Sequence, residues 1–122
     1  MLIIPLYDLC AVDTELATLL SDGVGLKVGE FDAINMNDAP YVCWQIISAD
    51  PEQYLSGVSD MDALYVQIDI YATDKGATRK IAKLVRKVIE ENCSIEDFTG
   101  CELEPEVNLY RIRIESRWLE EP

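Results

Sequence analysis

Apolar residues recur along the chain at two spacings, and the switches between them mark out the elements. Residues 4–21 carry the helical spacing twice, as Leu6, Leu9, Cys10 and then Leu16, Leu19, Leu20. Asp13 lies between the two sets, followed by Glu15, which is the order expected of a second N-cap and an acidic first turn. The spacing predicts a bent or broken helix that Gly23 and Gly25 bring to an end. A short strand is predicted over residues 26–31, and Asn35–Pro40 has turn chemistry. From Tyr41 to Ser48 the residues alternate, with Val42, Trp44, Ile46 on one side and Tyr41, Cys43, Gln45, Ile47 on the other. Both sides are largely apolar, so this strand belongs inside its sheet. Asp50–Asp62 reads as the longest polar connection, with Tyr54 and Leu55 as isolated apolar residues in it.

The clearest strand is residues 63–72, where Leu64, Val66, Ile68 and Ile70 alternate with Tyr65, Gln67, Asp69 and Tyr71. Thr73 or Asp74 then caps a helix predicted to run to about Asn92. Its stripe is Ala77, Ile81, Leu84, Val85, Val88 and Ile89, and its opposite face is Lys75, Arg79, Lys80, Lys83, Arg86 and Lys87. Residues 94–106 read as extended chain broken by Gly100 and Pro105. Leu109–Trp118 reads as a last strand whose Arg111, Arg113, Glu115 and Arg117 side must be wet or paired. This order of elements gives an α+β fold: a mostly antiparallel sheet with helices packed on one face, in a single domain spanning residues 1–122.

Charge and composition narrow the chemistry. The chain has 122 residues, 10 of them Lys or Arg, 23 Asp or Glu and no His, for a net charge of −13. Without histidine there is no Ser-His-Asp or Cys-His nucleophile system and no imidazole metal site. The acidic excess disfavours a primary grip on phosphate backbones or anionic lipid. No apolar run approaches the roughly 20 residues that span a bilayer. The first residues lack the basic and long apolar segments of a secretory signal, so the default compartment is the cytosol with reduced thiols.

The remaining candidates resolve into structural readings. Cys10, Cys43, Cys93 and Cys101 form no Cys-x-x-Cys pair, and the first two sit in apolar patterns as buried thiols. A Cys93–Cys101 disulfide is conceivable across a hairpin and disfavoured in the cytosol. Glu102, Glu104 and Glu106 alternate onto one face; a solvated, charge-protected edge outweighs a Ca²⁺ or Mg²⁺ site. Asp60 with Asp62, and Asp50 with Glu52, are carboxylate pairs of the kind a chain this acidic produces by chance, and nothing completes an acid–base constellation around them. Gly23-Val24-Gly25 lacks the other parts of a phosphate loop. Charge is unevenly placed, however. Residues 74–91 carry six positive and three negative charges, leaving that segment at +3 and the rest of the chain at −16. A basic stripe on an acidic body can set the register of one copy against another.

Three stretches carry a family resemblance. They are Pro40-Tyr41-Val42-Cys43-Trp44-Gln45-Ile46-Ile47-Ser48 followed by Glu52-Gln53-Tyr54-Leu55-Ser56-Gly57; Val66-Gln67-Ile68-Asp69-Ile70-Tyr71-Ala72 with the helix after it; and Tyr110-Arg111-Ile112-Arg113-Ile114-Glu115-Ser116-Arg117-Trp118. In this order and spacing, with the helical start at Pro5-Leu6-Tyr7-Asp8-Leu9, the chain resembles the tail-completion, or tail-terminator, proteins of long-tailed bacteriophages. The resemblance implies an α+β domain that assembles as a six-fold ring at the head-proximal end of the tail tube. Such a ring stops tube polymerisation and presents a surface to the head–tail connector. It implies no catalytic residue, no cofactor and no membrane, with the tail-tube protein and the connector as partners and DNA only passing through the lumen. It also implies a place in the virion tail after assembly in the host cytoplasm. The strength of the acidic bias and the four cysteines depart from the family's pattern without contradicting its fold.

The residues expected at subunit contacts are Tyr54 and Leu55 on the long loop and Lys80, Lys83, Arg86 and Lys87 on the basic helix face. The competing readings are another head–tail joining protein of similar fold, a small acidic binding or immunity-type module that mimics nucleic-acid charge, and a carboxylate-dependent metalloenzyme, which the sequence speaks against.

Overall fold

In the computed structural model the described residues are 3–31, 39–51 and 61–120. Helices α1 (Leu6–Ala11) and α2 (Thr14–Leu20) divide the first helical pattern. The break falls at Val12 and Asp13. The Asp13 carboxylate accepts a hydrogen bond from the Leu16 backbone N–H at 3.0 Å, the cap expected from the sequence. Each helix turns one edge inward, Leu6 and Cys10 from α1, Leu16 and Leu20 from α2.

The strands are β1 (Val28–Glu30), β2 (Tyr41–Pro51), β3 (Asp62–Ala72), β4 (Ser94–Phe98), β5 (Glu102–Glu104) and β6 (Leu109–Glu120), and helix α3 (Lys75–Ile89) separates β3 from β4. They form one six-stranded sheet in the order β1-β2-β3-β6-β4, with β5 also on β6. Every pairing is antiparallel except β1 with β2, which is parallel. As the alternation predicted, β2 lies inside the sheet. The polar connection is shorter than the sequence suggested: β2 continues through Asp50 and Pro51, and β3 begins at Asp62. Tyr54 and Leu55 lie outside the described residues, as do Glu52, Asp60 and most of the Asn35–Pro40 turn.

Register sorts the side chains. Val42, Trp44 and Ile46 pair with Ile70, Ile68 and Val66, which pair in turn with Ile112, Ile114 and Ser116. That face carries the core, closed by Ile81, Ala82, Val85 and Ile89 of α3 and the inner edges of α1 and α2. Asp74 caps α3 by accepting from the Ala77 N–H at 2.8 Å, and Thr78 bonds back to the Asp74 carbonyl. The helix ends at Ile89, before the predicted Asn92. Inside the core the buried Ser116 hydroxyl donates to the Val66 carbonyl at 3.1 Å and accepts from the Trp118 indole N–H at 2.9 Å.

Two bulges interrupt this regular lattice. On β2 the register slips between Ile46 and Ser48, leaving Ile47 unpaired. On β4 it slips between Ile95 and Asp97, leaving Glu96 unpaired. Both slips fall at the level of the Val66–Ser116 pair, on strands either side of it. An extra residue in one strand bends it and sharpens its twist. Two at one level crease the sheet across its width.

Candidate functional site

Two surfaces of different chemistry lie on opposite sides of the fold. The first is the outward side of α3. Its apolar stripe faces the sheet, so Lys75, Arg79, Lys80, Lys83, Arg86 and Lys87 are left exposed on the helix. Some are engaged within the chain. The Lys80 ammonium lies 3.0 Å from Glu15 of α2, an exposed pair that contributes little to stability. The Arg86 guanidinium sits 5.7 Å from the centroid of Phe98, and the Lys75 ammonium 5.8 Å from that of Tyr110. Lys83 and Lys87 make no ion pair among the described residues. Of the contact residues expected from the sequence, the structure therefore gathers Lys80, Lys83, Arg86 and Lys87 on one exposed face.

The second surface is the side of the sheet away from the helices. Tyr41, Cys43 and Gln45 of β2 share it with Tyr65, Gln67, Asp69 and Tyr71 of β3 and with Arg111, Arg113, Glu115 and Arg117 of β6. Its middle is tightly organised. Asp69 is buried and accepts from Arg113 Nε at 2.8 Å and from Gln67 Nε2 at 3.2 Å. The bond to Asp69 raises the Arg113 pKa further above its ordinary range. Tyr41 and Tyr71 stack at 4.9 Å, and burial raises both phenols. The Tyr41 hydroxyl and Arg111 Nε are buried without a hydrogen-bond partner among the described residues.

The glutamate ladder needs a correction. Glu102 and Glu104 are not simply solvated, because Arg111 reaches both carboxylates, at 3.0 and 2.8 Å, and so pins β5 to β6. Glu106 lies in the following turn, where Asn108 takes a positive φ of 53°. The opposite charges of this hairpin are visible in the sequence; only knowledge of the register could join them. Cys43 also departs from the expected core position. It faces Asp69 and Arg113 on the polar side, half-buried, and burial pushes its thiol up to about 12. All four cysteines are free.

Beside this network lies a groove of about 180 Å³ lined by Ile47, Tyr65, Val66, Gln67, Glu96, Glu115 and Ser116. Both bulged residues, Ile47 and Glu96, line it. No sequence pattern announced the groove, because neither bulge involves a glycine or proline. Among the described residues no cluster of acidic or thiol side chains could hold a metal ion. No helix among them is long and apolar enough to cross a membrane.

The described residues thus present a basic helix face and, on the other side, a polar and aromatic sheet face with a groove beside it, on a small α+β frame. No curated protein matches the chain. The model of the family described as tail completion protein gp17 matches residues 4–121, from the first core residue of the helical start to the end of β6, and the chain thus belongs to this family of phage tail structural proteins.

Proposed function

We propose that the protein caps the head-proximal end of the tail tube as a ring of identical subunits, six by family resemblance, that stops tube polymerisation and joins the tail to the head connector. Membership of the tail-completion family supports a tail role. The observation that supports self-assembly is the placement of charge: the basic face of α3 on the helix layer and the exposed carboxylates of Glu96 and Glu115 on the sheet layer, on opposite sides of one subunit. Complementary surfaces on opposite sides join head to tail; such contacts close into a ring where the rotation per subunit closes and run on as a filament where it does not, and the closed six-fold ring is what the family resemblance implies. Lys80, Lys83, Arg86 and Lys87, with Tyr54 and Leu55 from the long loop, are the proposed contact residues. The role is non-catalytic and needs no cofactor. The tail-tube protein and the connector are the partners, assembly takes place in the host cytoplasm, and DNA only passes through the lumen. The excess of carboxylates keeps that DNA from adhering.

The test is electron microscopy of particles from the phage lacking this gene. Overlong tails, unattached to heads, are expected. Tails of normal length that fail only to join heads would replace the terminator reading with another head–tail joining role. Normal virions would remove both in favour of an acidic binding module.

A further inference from the structure

The groove at the double bulge has the composition of a docking site. Ile47 is 58% exposed on a face otherwise organised by polar and aromatic side chains. Tyr65 and Val66 extend the apolar floor, and Glu96 and Glu115 stand on the rim. The acidic groups nearer the centre of the face are already engaged, Asp69 by Arg113 and Glu102 and Glu104 by Arg111. Glu96 and Glu115 have no ion pair among the described residues. The groove therefore offers an apolar floor with two exposed carboxylates on its rim, Glu115 standing between Arg113 and Arg117 on the same side of β6.

The matching surface is on the same chain. Lys83 and Lys87 are exposed on α3, lack an ion pair among the described residues, and lie one turn apart, about 6 Å along the axis. Long lysine stems cover apolar surface while their ammonium groups reach past it. The stems match Ile47 and Tyr65, and the ammonium groups match Glu96 and Glu115. The two surfaces sit on opposite layers of the subunit, so no subunit can satisfy its own groove. Two copies related by a two-fold axis through either surface would set like charge against like.

We infer that the groove between the two bulges, rimmed by Glu96 and Glu115, receives the Lys83–Lys87 face of α3 from a second copy of this chain. This rests on the ring reading and adds to it the surface that receives the helix and the head-to-tail polarity of the contact.

The test uses the full chain. Equal amounts of ¹⁴N- and ¹⁵N-labelled protein are mixed and treated with a carbodiimide, which joins a lysine amine directly to a touching carboxylate. A ladder of covalent multimers is expected, with mixed-isotope peptides linking Lys83 or Lys87 to Glu96 or Glu115. Glu115→Lys and Lys83→Glu, both at exposed positions, should each weaken self-association at least tenfold, with unchanged circular dichroism. Mixing the two variants should restore it, because each then supplies the surface the other has lost. A ladder joined through other residues would overturn the docking inference and leave the ring standing. A protein that stays monomeric would overturn the inference as well; the ring would then be judged on the gene-deletion micrographs alone.

Discussion

Replacing Ser116 by alanine tests how the core is tied together at the crease. The Ser116 hydroxyl is the acceptor for the Trp118 indole N–H at 2.9 Å and a donor to the Val66 carbonyl at 3.1 Å. Ser116 is 2% exposed and Trp118 1%, so neither group has water to turn to. The alanine methyl fills most of the space, and no cavity of consequence opens. The loss is therefore in hydrogen bonding. A neutral indole N–H left buried without an acceptor costs about 1–2 kcal/mol, the lower part of the range for orphaned donors, and the forfeited bond to Val66 about 1 kcal/mol more. We expect a total near 2–3 kcal/mol, a large share of the roughly 5–15 kcal/mol that holds a domain together. In urea, with m near 2 kcal/mol per molar, the midpoint should fall by about 1–1.5 M at constant m. A double-mutant cycle with Trp118→Phe isolates the shared bond. Without the indole N–H, Ser116→Ala should cost only about 1 kcal/mol, giving a coupling of about 1–2 kcal/mol. A midpoint shift under about 0.3 M, or a cycle that is additive within error, would refute the reasoning, because the indole would then not depend on this hydroxyl.

Three further outcomes are expected. Asp74→Ala removes the side-chain cap of α3 and should lower stability by about 1 kcal/mol in urea unfolding, while Asp74→Ser should recover most of it. Arg111→Lys keeps the charge but loses the fork that reaches Glu102 and Glu104 together; amide exchange across β5 should accelerate while that of β3 stays unchanged. Alkaline pH should destabilise the protein. Burial, then the charge of Asp13, pushes the Cys10 thiol from 9.0 up to about 12, and burial followed by Asp69 does the same for Cys43. The folded chain thus holds protons that the unfolded chain releases, so this stabilisation is complete below about pH 9 and fades between about 9 and about 12. Urea midpoints should accordingly decline through that interval, and Cys10→Ala should flatten the decline.

Much of the frame follows from periodicity. The strand alternation of residues 63–72 and 109–118 fixes which side of β3 and β6 meets the helices, because a one-residue error would put every isoleucine in water. Asp13 and Asp74 mark helix starts through their own chemistry, as carboxylates placed before apolar runs. What was not legible depends on pairing between distant segments. The parallel partnership of β1 with β2 leaves no trace in three residues, Val28–Glu30. Arg111 had to meet Glu102 and Glu104 once β5 and β6 paired, but alternation alone cannot distinguish a paired face from a wet one. The groove is the extreme case: Ile47 and Glu96 are ordinary strand residues by type, and they acquire a role only because two register slips coincide. The basic face of α3 was readable as a face because it stands on a single helix.

The margins of the sheet constrain how the molecule can associate. At one margin β1 covers only Val42–Trp44 of β2, so the β2 edge from Gln45 to Pro51 has no strand partner among the described residues; at the other, β4 carries the slip at Glu96 with Asp97 beside it, and β5 is three residues long with two glutamates. A short strand and a kinked, carboxylate-bearing one are poor templates for backbone pairing by an incoming chain. Open-ended stacking of sheets is thereby discouraged at the β4–β5 border. Recognition at that border is left to side chains, where a single reversed charge can veto the wrong neighbour.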